Sequence, residues 1–412
     1  MARKARPSTV LDGAASTGLR HILRTATPST IRDVNRSIVL NLIRVHQPIS
    51  RARLSELTGI FRSNISDIVK GLLDRRLLIE ERAEPTSRGR VPFHLRLNQN
   101  GFHVIAASIR FSETTVGLAG LTGEFLTRST FPTPERPSAV VDQIALAVQN
   151  LRTSSRQRLS PASTRVGISV PGLVDGGSGL IRWSPALPQY SNFNIAEAVE
   201  YRTGIPAAAE NDCNLAALAE LSSAEVEANH LRDFVFLEIG DVGVGGSIVI
   251  NRALYRGHDL GLSAEFGHMV VESDGLNCSC GRRGCWELFV CNRATLSRYH
   301  PDLEYSAESF DRFLESLNSG DAAAVAAIDE TARYLSMGVS NIAFALNPEV
   351  IIVAGRLTQA WRFIEPVILR ELDSTKLRVT VQTARHNAEE LFLHGAARLA
   401  LSQVFGHQAV GW

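Results

Sequence analysis

Apolar positions in the first hundred residues recur with two different periods. Ile31, Val34, Ile38 and Leu42 repeat at helical spacing behind a Pro28-Ser29-Thr30 start signal, which predicts a first helix from Ile31 to about Val45. Ser50 is placed to cap a second, short helix from Arg51 to Thr58, which stops at Gly59. A third runs from about Arg62 to Arg75, with Ile65, Ile68, Val69 and Leu72 on one face. Two short helices hinged at a glycine, the second opening on polar residues, make a helix-turn-helix. The period then falls to two in Leu77-Leu78-Ile79-Glu80-Glu81 and Phe93-His94-Leu95-Arg96-Leu97, around a polar tip from Pro85 to Arg90. That alternation predicts a β-hairpin, the wing of a winged helix-turn-helix over residues 31–97.

Beyond Asn98 the pattern becomes strand, strand, strand, helix: Val104–Ile109, Thr115–Leu121, Phe125–Phe131 and Ser138–Leu151. Further short apolar strands at Val166–Val170, Phe234–Ile239, Ser247–Ile250 and Val350–Val353 alternate with helices at Ile195–Tyr201, Asn214–Ser222 and Ala322–Ala345. Residues 98–412 therefore read as an α/β body with mixed sheets, large enough for two lobes around a cleft. No internal sequence repeat is evident.

Charge divides this picture unevenly. The chain of 412 residues is 44% hydrophobic with a formal net charge of +1, yet residues 1–100 carry 18 Lys and Arg against 8 Asp and Glu. A basic head on a net acidic body points to nucleic acid contacted at one end. Residues 1–30, poor in acids, read as a flexible basic arm. Arg3, Lys4 and Arg6 precede Pro7-Ser8-Thr9 rather than an apolar run, and no uninterrupted apolar segment is long enough to span a bilayer. A cytoplasmic protein without a membrane partner is expected.

On the third helix Arg62, Ser63, Asn64, Ser66, Asp67 and Lys70 are the groove-facing candidates. Asn bonds adenine in a bidentate way, and Arg and Lys serve guanine or phosphate. Arg88, Arg90 and the arm would add phosphate or minor-groove contacts. A winged helix used for protein contacts is the competing reading, against which the basic balance argues.

Three of the five cysteines fall within eight residues, Cys278, Cys280 and Cys285, with His268 upstream. Four such donors fill a tetrahedral Zn2+ shell and leave no open position for water, so a structural rather than a hydrolytic metal is expected. Cys213 and Cys291 have no such spacing and read as packing residues.

The segments Asn35-Arg36, Ile49-Ser50-Arg51, Leu57-Thr58-Gly59 and Gly89-Arg90-Val91-Pro92 resemble the head of ROK-family repressors, which adds Arg51 to the DNA-contacting set. Phe61 departs from the usual capping Ser and Asp67 from a basic or neutral residue. The run Ala264-Glu265-Phe266-Gly267-His268 with Cys278-Ser279-Cys280-Gly281-Arg282-Arg283-Gly284-Cys285-Trp286-Glu287 resembles the ROK signature almost position for position. The resemblance implies an actin/hexokinase-like (ribonuclease H-like) body and a homodimer reading palindromic operator DNA. It also implies a sugar or amino-sugar effector held by Asn211, Asp212, Glu265, His268 and Glu287, with Pro171-Gly172 at the strand end beside them. In the similar kinases Asp212 would be the base.

Two features argue against catalysis, the early phosphate turn and the stretch Val353-Ala354-Gly355-Arg356, which keeps one glycine where nucleotide-binding members of the family usually have two. A kinase of this fold needs an early Asp-x-Gly-Gly-Thr turn that lets backbone amides approach phosphates and helps hold the metal. The matching stretch here is Ser108-Ile109-Arg110-Phe111-Ser112, without the acid and with both glycines replaced. Gly243-Val244-Gly245-Gly246-Ser247 keeps part of a later phosphate turn, or is simply a tight hairpin. Ala186 in Ser184-Pro185-Ala186-Leu187 replaces an Asn that often contacts sugar in the family. The sequence thus predicts a sugar-responsive repressor, with an active sugar kinase carrying a DNA-binding head as the alternative.

Overall fold

The computed structural model describes residues 28–82, 93–154, 159, 163–221, 231–258, 263–375 and 377–405. The basic arm before residue 28 and the wing tip with Arg88 and Arg90 lie outside the described residues. The chain divides into two compact units, one formed by residues up to 74 with 78–97, the other by 75–77 with 98–412.

The smaller unit is built from α1 (Pro28–His46), β1 (Ile49–Ser50), α2 (Arg51–Thr58), α3 (Arg62–Asp74), β2 (Leu78–Arg82) and β3 (Phe93–Leu97). The ends of α2 are fixed locally. The Ser50 hydroxyl accepts from Arg53 N at 3.2 Å, and Gly59 adopts φ 70° and donates to Ser55 O at 2.9 Å. β3 pairs antiparallel with both β1 and β2. The core joins Leu54 of α2, Ile65, Val69 and Leu72 of α3, and Leu95 and Leu97 of β3. On α1 it takes Val39, Leu40 and Ile43, while Ile31, Val34 and Ile38 are exposed. The helix forms where periodicity predicts it, but a different face is buried.

The larger unit contains two five-stranded sheets of one design. In the first, β4 (His103–Ile109), β5 (Glu113–Ala119) and β6 (Phe125–Pro132) form an antiparallel meander. On its other side β4 pairs parallel with β7 (Thr164–Val170), which pairs parallel with β11 (Ala207–Asn211). In the second, β12 (Phe234–Ile239), β13 (Val244–Ile250) and β14 (Ala253–Leu254) form the meander, and β15 (Val350–Ala354) and β16 (Thr380–Thr383) continue it in parallel. Between the two meanders lie a small sheet of β8 (Leu173–Asp175), β9 (Leu180–Trp183) and β10 (Phe193–Asn194), and helices α4 (Pro137–Ser154) and α5 (Ile195–Thr203).

The helix α6 (Asp212–Leu221) joins the lobes. It packs against α12 (Ala388–Phe405), which covers β4 and β7 of the first sheet, and against β12 and β13 of the second. The second lobe is completed by α7 (Glu287–Val290), α8 (Asn292–Tyr299), α9 (Ala307–Asn318), α10 (Ala322–Leu346) and α11 (Trp361–Asp373). Separate apolar cores centre on Ile105, Val166 and Ile168 in one lobe, and on Val235, Leu237 and Ile351 in the other. No helix among the described residues is long and apolar enough to cross a membrane.

Candidate functional site

In the head, burial of Ile65, Val69 and Leu72 leaves Arg62, Ser63, Asn64, Ser66, Asp67 and Lys70 exposed on α3. The Ser66 hydroxyl turns back to Arg62 O at 2.9 Å. Arg51 does not stand free: its Nη1 bonds Glu80 Oε1 at 2.7 Å, tying α2 to the wing strand β2.

In the body a cleft of about 630 Å3 opens between the lobes. All seven residues expected to meet sugar line it: Pro171, Gly172, Asn211 and Asp212 from the first lobe, and Glu265, His268 and Glu287 from the second. The order of the first four follows from backbone geometry. β7 ends in a turn at Gly172, whose φ of 107° disfavours any side chain, and where a Cβ would meet Trp183 O at 2.4 Å. Asn211 Nδ2 donates to Gly172 O at 2.9 Å and to Asp212 Oδ1 at 3.0 Å, and Asn211 Oδ1 accepts from Asn214 N at 3.0 Å. Asn211 thus joins the turn to the start of α6. Alternation along β11 turns its neighbour Glu210 the other way. Glu210 is buried and bonds Arg256 Nη2 at 2.6 Å and Asn214 Nδ2 at 3.2 Å.

Asp212 is the first residue of α6, where the free N–H groups favour a carboxylate; its Oδ1 accepts from Cys213 N at 2.8 Å. Burial raises its pKa, opposed by Arg110 and by the Cys213 hydrogen bond.

Across the cleft, His268 faces two ways. Its Nδ1 lies 3.6 Å from Cys278 Sγ and 3.4 Å from Glu287 Oε1, while its Nε2 lies 4.0 Å from Glu265 Oε2. Cys280 Sγ and Cys285 Sγ are 3.6 Å apart, and one ligand atom from each of His268, Cys278, Cys280 and Cys285 falls within 4.8 Å of all the others. Tetrahedral zinc with Zn–S bonds of about 2.3 Å requires sulfur separations of about 3.8 Å. The donor set and spacing fit that ion. Cys213 and Cys291 are buried elsewhere and take no part. The loop is pinned by Trp286, fully buried, whose Nε1 donates to Tyr334 O at 2.7 Å.

The glycine-rich stretch is a hairpin. Gly240 N bonds Gly243 O at 2.9 Å, and Gly245 and Gly246 lie within β13, where a Cβ would meet Cys213 Sγ at 2.3 Å and Phe266 Cδ2 at 2.6 Å. Packing alone accounts for both glycines.

Sequence reasoning missed two carboxylates of the cleft, Glu238 and Asp241, and the use made of Arg110. Arg110 Nη2 lies 3.5 Å from Glu238 Oε1, and its guanidinium sits over the Phe392 ring at 4.8 Å. Burial pushes the Glu238 carboxyl up to about 7, with Asp212 and Asp241 adding to the shift and Arg110 opposing it. The available signal was a lone acid inside the apolar strand Phe234–Ile239, since a buried polar residue is the informative kind.

Comparison with known proteins gives this geometry its context. The xylose repressor of Bacillus subtilis (strain 168) is 27% identical over 346 residues, 84% of this chain and 86% of that protein. A glucokinase of Streptomyces coelicolor is 31% identical over 271 residues, 62% of this chain and 82% of the enzyme. The crystal structure of a ROK family transcriptional regulator, a homologue of the Escherichia coli Mlc protein, superposes with a TM-score of 0.77 at 23% identity, covering 92% of this chain and 99% of that one. The fold is therefore that of ROK proteins, two actin/hexokinase-like lobes preceded by N-terminal helices. The ROK family model matches residues 108–402, and the chain belongs to the ROK family.

Proposed function

We propose that this protein is a sugar-responsive transcriptional repressor: α3 reads operator DNA, the interlobe cleft takes a sugar or amino sugar, and occupancy of the cleft changes operator affinity. The observation that carries the reading is the convergence of Asn211, Asp212, Glu265, His268 and Glu287 on one cleft, in a chain whose α3 presents a row of exposed polar residues. Carboxylates and amides that converge in this way accept and donate the paired hydrogen bonds that vicinal hydroxyls need. The kinship with a xylose repressor over 84% of the chain supports the same reading.

The protein acts as a homodimer on a roughly palindromic operator, since a two-fold pair of heads reads half-sites about one helical turn, or a multiple of it, apart. Arg62, Ser63, Asn64, Ser66, Asp67 and Lys70 face the bases, and Arg51, Arg88 and Arg90 contribute to the backbone contacts. His268, Cys278, Cys280 and Cys285 hold one structural Zn2+, which supplies rigidity and fixes the imidazole plane. With Nδ1 turned to the metal, Nε2 is left for a sugar hydroxyl beside Glu265. Pro171 and Gly172 close the floor beneath the ring.

The active-kinase reading keeps one observation in its favour, Asp212 in the cleft of a chain 31% identical to a glucokinase over 271 residues. Against it, Ser108 is buried on β4 in place of an acid, and Arg110 and Phe111 project where phosphates would approach. The deciding experiment pairs two readouts on purified full-length protein: operator affinity with and without D-xylose, D-glucose and N-acetyl-D-glucosamine, and ADP release with the same sugars. The repressor reading expects a sugar-dependent operator affinity and no ADP. Steady ADP release with an operator affinity indifferent to sugar would replace it with the kinase.

A further inference from the structure

We propose that Arg110 is a built-in cation that bridges the two lobes where a kinase of this fold uses a metal-bound nucleotide, and that sugar binding tightens its grip on Glu238 from one point to two. The inference rests on the sensor reading above and names how that sensor closes.

Arg110 is the first residue beyond β4, in the first lobe, and its backbone N is fixed by Glu113 O at 3.0 Å. Its side chain crosses to β12 of the second lobe, where Nη2 reaches Glu238 Oε1 at 3.5 Å. A full charge-assisted contact would be about 2.7–2.9 Å. The other terminal nitrogen, Nη1, is buried and has no hydrogen-bond partner. An Arg fork that engages a carboxylate with one arm at long range, its second arm desolvated and unsatisfied, is in a costly arrangement that closer approach would relieve. The Phe392 face, 4.8 Å from the guanidinium, holds its plane for such an approach.

The lobes are tied firmly elsewhere. Arg256, beyond β14, bonds Glu210 of β11 at 2.6 Å, and Ser247 of β13 bonds Asn214 of α6 at 2.9 Å. With these short contacts holding one side of the cleft, relative movement of the lobes is expressed at the loose pair. The charge pattern agrees. Asp212, Glu238 and Asp241 line one cleft, and three carboxylates at such a site ordinarily call for a divalent metal. Arg110 supplies positive charge among them from the chain itself, and Phe111 beside it, 75% exposed, adds bulk where phosphates would pass. The sensor then needs neither nucleotide nor Mg2+ to close.

The test is calorimetric titration of full-length protein with D-xylose, D-glucose and N-acetyl-D-glucosamine, with and without saturating Mg2+ and a non-hydrolysable ATP analogue. The expected result is that a sugar binds the wild type equally well in both conditions. Arg110→Ala and Glu238→Gln should each weaken that sugar by about ten-fold, and the double variant by no more than either alone, because the two residues act as one unit. Arg110→Lys keeps the charge and the single contact but has no second arm. It should melt like the wild type and still lose affinity. Losses that multiply to about a hundred-fold in the double variant, wild-type affinity in Arg110→Lys, or an affinity raised by the nucleotide would overturn the proposal. Binding that is indifferent to every variant overturns the bridge alone; no binding of any of the three sugars to the wild type overturns the sensor reading and the bridge with it.

Discussion

Glu265 Oε2 lies 4.0 Å from Nε2 of His268, the ring nitrogen opposite the one that faces Cys278. A carboxylate in the cleft and the Cys278 thiol of the His/Cys cluster therefore address the same imidazole. A hydroxyl that contacts both Glu265 and Nε2 meets a ring whose other nitrogen faces Cys278 and Glu287.

Glu265→Ala should on this account abolish the sugar response while leaving operator affinity without sugar unchanged. A sugar shifts the equilibrium between two forms only by its differential affinity for them, and a coupling of about 1–3 kcal/mol corresponds to a change of roughly 5- to 150-fold in operator binding. Operator titrations of wild type and variant, each with and without the best-binding sugar of the panel, measure it. A variant with a full response would remove Glu265 from the sugar site.

The cluster of His268, Cys278, Cys280 and Cys285 makes a second, independent prediction. Wild-type protein should carry one zinc per chain by elemental analysis, and Cys280→Ser should carry less than about a tenth of that, since the loss of one thiolate opens a closed tetrahedral shell. Cys213→Ser should keep its zinc, because Cys213 lies outside the cluster. Retention of zinc in Cys280→Ser would shift the ligand set elsewhere.

How much of this was legible in the sequence depended on how local the physics is. The cap at Ser50 and the stop at Gly59 act within a few residues, and α2 begins and ends where they stand. Three of the four residues of the His/Cys cluster lie within one loop, so their spacing was readable too. The face of α1 was not. Apolar residues occupy both sides of that helix, and only the partners decide that Val39, Leu40 and Ile43 are buried while Ile31, Val34 and Ile38 are not. The two sheets share one strand order with no visible sequence repeat, because hydrogen-bond topology belongs to the backbone and many side-chain sets satisfy it. The Arg110 contact with Glu238, 3.5 Å long, joins residues far apart in the chain, which no local spacing in the sequence signals.

DNA recognition separates two residues of α3. Both Asn64 and Lys70 are exposed. If Lys70 meets phosphate, Lys70→Ala weakens binding evenly across operator variants and lowers the salt slope by about one. Asn64→Ala should instead cost about 1–3 kcal/mol at one base position and relax preference there, with the salt slope kept. Fluorescence anisotropy over a salt series with a set of single-base operator variants distinguishes the two. Identical behaviour of both variants would mean that α3 does not sit in the groove as described.

Glu238 provides a prediction in pH. Burial lifts its carboxyl from the ordinary 4.5 to about 7, with Arg110 pulling against the shift and Asp212 and Asp241 adding to it. Because the folded value lies above the unfolded one, the folded state holds a proton that the unfolded chain releases between these values. Stability from this group is thus greatest at or below pH 4.5 and falls as pH rises to about 7, after which it is constant. A shift of this size is worth on the order of 3 kcal/mol. Glu238→Gln has no proton to lose, so the difference in unfolding free energy between variant and wild type should widen in favour of the variant across that interval. Chemical denaturation of both proteins at intervals from pH 4.5 to 8 reads the difference, and pH effects of groups that do not interact with Glu238 cancel in the comparison. Arg110→Ala removes the one cation that opposes the shift, so the fall in stability should extend to higher pH. A constant difference between wild type and Glu238→Gln over the whole range would mean that Glu238 ionises as freely in the folded protein as in the unfolded chain, and that the cleft around it is open to water.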